Sequence, residues 1–83
     1  MTLTQPLNGD ALRALTPGAV FYEQDARTGS IFTVTLDANG DLHVTDDNGT
    51  RQPENEWSLD FVADMVDAHA DAFPTPYYAT RPQ

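Results

Sequence analysis

Between residues 32 and 45 apolar and polar side chains alternate, and the alternation breaks once, at Ala38-Asn39-Gly40. A period of two predicts two strands, 31–37 and 41–46, joined as a hairpin with one apolar face. Loop length then decides the register. A two-residue Asn39-Gly40 turn would set Leu36 opposite His43 and Thr35 opposite Val44, mixing polar and apolar groups on both faces. A three-residue loop with Gly40 in the left-handed region sets Leu36 opposite Leu42, Val34 opposite Val44 and Phe32 opposite Asp46. The other face then pairs Thr35 with His43 and Thr33 with Thr45. A sheet covered on one side requires the second arrangement.

The flanking segments give weaker signals. Asn8 predicts a helix N-cap over residues 9–15, with Leu12 and Leu15 inward and Thr16-Pro17-Gly18 stopping it. Residues 19–24 predict a strand, 25–30 a polar loop, and a weak edge segment follows the Asn48-Gly49 turn as far as Pro53. Residues 58–73 predict an amphipathic helix, with Ser58 as N-cap, Trp57 stapled onto Val62, and Pro74 as its end. At 100° per residue, Leu59, Phe61, Val62, Met65, Val66 and Phe73 share one broad side, and Asp60, Asp64, Asp67 and Asp71 share the other. The fold class expected is α+β: a short N-terminal helix, a three- to four-stranded antiparallel meander, and one C-terminal amphipathic helix packed on one sheet face. That helix would bury Phe61, Val62, Met65, Val66 and Phe73 against Phe32, Val34, Leu36, Leu42 and Val44. Residues 1–73 would form a single small domain and 74–83 an extended tail rich in proline and tyrosine.

Charge changes the picture more than size does. The 83-residue chain carries 13 acidic residues against 4 basic ones, a formal net charge of -9. Lysine is absent, ten of the acids are aspartate, and Arg13, Arg27, Arg51 and Arg81 lie far apart. Direct contact with nucleic acid or an anionic membrane would oppose like charges, whereas a basic partner would be attracted and steered in. Adaptation to high salt or plain solubility would also produce such a surface. No cysteine is present, which excludes disulfides and sulfur-based zinc sites. The N-terminus carries no signal-peptide pattern and no stretch has the length of a membrane span, so a cytoplasmic protein is expected.

The aspartate stripe runs against local energetics. Steps of four, three and four residues hold four carboxylates within an arc of about 60°. Like charges at these spacings repel by roughly 0.2–0.5 kcal/mol per pair, and aspartate is a mediocre helix former. A helix face built this way without local benefit is a candidate binding surface. Asp46, Asp47, Glu54 and Glu56 would extend it if the hairpin end lies beside the helix start, and Tyr77 and Tyr78 would serve as aromatic anchors. The function expected is a small acidic, non-enzymatic protein-binding module. Its most concrete form is a nucleic-acid mimic: an inhibitor, such as a mobile-element anti-defence protein, that blocks the basic groove of a nucleic-acid-binding protein. The alternative is a structural or homodimeric subunit that works through its open sheet face or tyrosine tail, so the chain is expected as a monomer or homodimer.

Other chemistry lacks its parts. His69 falls within the apolar helix face and reads as a core or interface histidine. His43, opposite Thr35, reads as exposed or half-covered. Neither has a nucleophile and orienting carboxylate at a recognisable spacing, so no catalytic residue is assigned. Asp37-Ala-Asn39-Gly-Asp41 begins like a calcium loop, but it has Leu42 where glycine is required and Asn48 where a bidentate glutamate is required. It reads as a turn. No metal site, cofactor or phosphate loop is expected.

Overall fold

Six elements follow one another: α1 (Gly9–Arg13), β1 (Val20–Gln24), β2 (Ile31–Leu36), β3 (Leu42–Thr45), α2 (Leu59–Ala68) and β4 (Tyr77–Tyr78). The computed structural model describes residues 6–25, 27–53, 56–69 and 76–81. The fold is α+β, an antiparallel four-stranded sheet in the order β3-β2-β1-β4 with two helices. No helix among the described residues is long and apolar enough to cross a membrane.

The β2–β3 hairpin adopts the register of the three-residue loop: Leu36 opposite Leu42, Thr35 opposite His43, Val34 opposite Val44 and Thr33 opposite Thr45. Gly40 takes a φ of 86°, a conformation that a Cβ would strain. Asp37 builds the loop. Its Oδ1 accepts from the backbone N–H groups of Asn39 and Asp41, each at 2.9 Å. The same device recurs one strand later. Asp46 Oδ1 accepts from Asn48 and Thr50 N–H at 2.9 Å, and Gly49 has a φ of 81°. Two Asp-x-Asn-Gly loops thus bracket β3, each an aspartate folded over its own backbone.

Alternate residues of the sheet, Phe21, Val34, Leu36, Leu42, Val44 and Tyr77, form one buried cluster with Leu12 of α1 and Leu59, Val62, Ala63 and Val66 of α2. Both helix starts are capped as expected: Asn8 Oδ1 accepts from Ala11 N–H at 2.8 Å, and Ser58 Oγ from Phe61 N–H at 3.2 Å.

Three expectations are corrected. The long helix ends at Ala68; His69 leaves helical geometry (φ -128°, ψ 37°) and is exposed, so the periodicity that placed it in the apolar face no longer applies. Phe73 and Pro74 lie outside the described residues. The buried side of α2 is rotated toward Ala63, because α1 packs along that flank. Phe61 is displaced from the core to 47% exposure, Met65 is half-buried, and Trp57 stacks on Phe61 at 5.1 Å. Finally, the segment after Asn48-Gly49 contributes only a bridge, Arg51 to Thr45, and the fourth strand is supplied by Tyr77–Tyr78. These pair with Glu23 and Tyr22 of β1, and Leu7 N–H donates to the Tyr77 carbonyl at 2.6 Å on the outer side.

Candidate protein-binding surface

Asp60, Asp64 and Asp67 do share one flank of α2, and α1 lies against it. Arg13, the last residue of α1, donates from Nη2 to Asp64 Oδ1 at 2.6 Å and from Nη1 to Asp67 Oδ2 at 2.9 Å. Asp10 stands 3.6 Å from the same guanidinium. Hydrogen bonds to Asp67 and then Asp64 push the Arg13 pKa up. The other oxygen of Asp67 accepts from Gly9 N–H at 3.1 Å, and a Cβ on Gly9 would overlap that carboxylate. Two of the expected ridge acids therefore hold α1 in place, which accounts for aspartates where propensity disfavours them. Asp60 is exposed and forms no ion pair or hydrogen bond among the described residues; Asp71 lies outside them.

The hairpin acids do not extend this flank. The loop beside the α2 start is 37–41: Leu59 N–H donates to the Gly40 carbonyl at 2.8 Å and Asp41 bridges Ser58. Asp46 and Asp47 sit at the other end of β3. Asp46 is engaged by its own turn, Asp47 pairs with Arg81 at 2.8 Å, and Glu54 lies outside the described residues.

Glu56 belongs to a network that closes the outer edge of β3. Its Oε2 accepts from Val44 N–H at 3.0 Å, and Arg51 grips both oxygens through Nε and Nη2 at 2.8–3.1 Å. Leu42 N–H donates to the Trp57 carbonyl, and Asp46 N–H to the Thr50 carbonyl. Every second amide of the edge strand is thus covered, which blocks pairing with another chain there. Arg51 Nη2 also meets His43 Nδ1 at 2.9 Å. A guanidinium only donates, so Nδ1 is bare and Nε2–H donates to Asp37 Oδ2 at 2.8 Å. The lone pair that a general base would use is occupied. Hydrogen bonds from Arg51 hold the Glu56 carboxyl below its usual range, and the Asp41 amide followed by His43 do so for Asp37.

The tyrosines separate. Tyr77 is only 3% exposed, with its ring 5.8 Å from Phe21, so it anchors the core instead of a partner. Its hydroxyl hydrogen-bonds to Glu23, itself 4% exposed; burial pushes the Glu23 carboxyl up and the Tyr77 hydroxyl well above its ordinary value. Tyr78 stays half-buried opposite Tyr22.

The feature absent from the sequence reading is the Trp57–Phe61 stack, half-exposed on the α2 start with rings only 21° from parallel. Ala63 was its signal: a small residue at the edge of the buried arc, on the flank of Asp67, marks where another helix approaches, and that places Phe61 outward. No family model, no curated protein and no solved structure matches the chain.

Proposed function

We propose that this chain is a small acidic, non-enzymatic binding module that occupies a basic groove of a nucleic-acid-binding protein, acting as an inhibitor in the manner of a nucleic-acid mimic. One observation carries the reading: all four arginines are engaged within the chain, Arg13 by Asp64 and Asp67, Arg27 by Asp25 at 3.7 Å, Arg51 by Glu56 and Arg81 by Asp47. With no lysine present, an approaching cation meets carboxylates that no cation among the described residues answers, Asp60 and Asp41 foremost. The net charge of -9 steers such a partner over long range. A mobile-element anti-defence role fits this chemistry.

The test starts from proteins of the native lysate retained by the immobilised chain, challenged with duplex DNA and with RNA. The expected result is a basic protein released by nucleic acid and by salt, and not retained by an Asp41→Asn/Asp60→Asn variant. That variant spares the carboxylates holding α1; neutralising Asp64 and Asp67 would confound binding with helix docking. Retention that nucleic acid cannot displace overturns the mimic. A self-associated species in sedimentation at several concentrations would replace it with the homodimeric subunit, using the sheet face opposite the core.

A further inference from the structure

We infer that the Trp57–Phe61 stack is the anchor of this surface and that its occupant is an arginine side chain on a basic segment of the partner protein; this rests on the acidic-module reading above. Three observations converge. The rings are stacked at 5.1 Å yet stand 50% and 47% exposed, a large apolar area for so small a chain to leave in water. Asp60 directly precedes Phe61 in sequence, and Asp41 bridges Ser58, the residue after Trp57. Both carboxylates are exposed and form no ion pair among the described residues. Each in-chain arginine is already bound to an acid.

An aromatic pair with unpaired carboxylates on neighbouring residues is complementary to guanidinium. The planar cation lies on the indole while its N–H fork reaches a carboxylate. A lysine ammonium is compact and strongly hydrated, so it gains the charge but little of the stacking. A partner presenting arginine is therefore favoured over one presenting lysine at equal charge.

Trp57 is the only tryptophan, so its fluorescence and its indole N–H resonance report on this spot alone. We would titrate the chain with an arginine octapeptide and a lysine octapeptide. The arginine peptide should move the indole resonance and bind about tenfold more tightly than the lysine peptide. Asp60→Asn and Phe61→Ala should each weaken the arginine peptide about fivefold, and Val20→Thr, on the opposite sheet face, should leave it unchanged. Resonance dispersion checks that each variant is folded. Equal binding of both peptides with the indole unmoved overturns the anchor and leaves the acidic module standing. No binding of either peptide overturns both. An indole shift that follows the concentration of the chain alone assigns the stack to contact between copies and overturns the arginine occupant.

Discussion

Glu23 shows how one side chain sets a pH limit on the fold. It projects toward the core side of β1, two residues from Phe21, and the Tyr77 hydroxyl is its hydrogen-bond partner. Burial raises its folded-state pKa above the unfolded value. Its contribution to stability is therefore complete below the ordinary carboxylate pKa and is lost as pH rises through the raised folded value. Glu23→Gln keeps an acceptor for Tyr77 and never ionises. The variant should match the parent below about pH 4 and exceed it by on the order of 1 kcal/mol at neutral pH and above. Urea midpoints measured across pH would show this; a variant weaker than the parent at neutral pH would mean that the carboxylate, not the buried acid, is the form the core prefers.

At the level of elements, the two Asp-x-Asn-Gly loops are a matched pair with different neighbours. Gly40 closes a hairpin whose strands both contribute to the core, and its carbonyl receives Leu59 N–H at the start of α2. Gly49 closes a turn onto a single bridge at Arg51. The left-handed strain of a Cβ is similar at φ 86° and 81°, so any difference in cost reflects what each loop organises. Gly40→Ala should cost about 1–2 kcal/mol in global stability. Gly49→Ala should be relieved by local fraying of residues 50–52 and cost roughly half as much. Thermal midpoints and amide exchange at Val44 and Asp46 would separate the two. Equal losses would mean that the 46–52 turn is as integral as the hairpin.

For the molecule as a whole, self-repulsion outweighs pairing. Four arginines are matched by in-chain carboxylates while the formal charge remains -9. Screening weakens both terms, but 13 acids stand against four arginines, so repulsion is the larger of the two. Stability should rise by on the order of 1 kcal/mol between low salt and about 1 M sodium chloride, where the Debye length falls to ~3 Å. Binding to a basic partner should weaken over the same range. Chemical denaturation by urea at each salt concentration tests the first statement; a falling midpoint would mean that the networks around Arg13 and Arg51 dominate the electrostatics.

What was legible from the residues is what depends on neighbours in sequence. The hairpin register follows from alternation and from the left-handed glycine, and both helix starts follow from Asn8 and Ser58, because each involves groups only a few positions apart. Contacts between distant segments were not legible. Arg13 reaches Asp64 and Asp67 across 51 and 54 positions, and Tyr78 joins Tyr22 from the far end of the chain. Docking of α1 turned α2 about its axis, buried Ala63, put Phe61 outside, and converted two acids of an apparent ridge into supports. A helical wheel gives the angle between side chains but not which angle faces the core. That choice belongs to the second helix, whose approach no local pattern in α2 encodes beyond a single small residue.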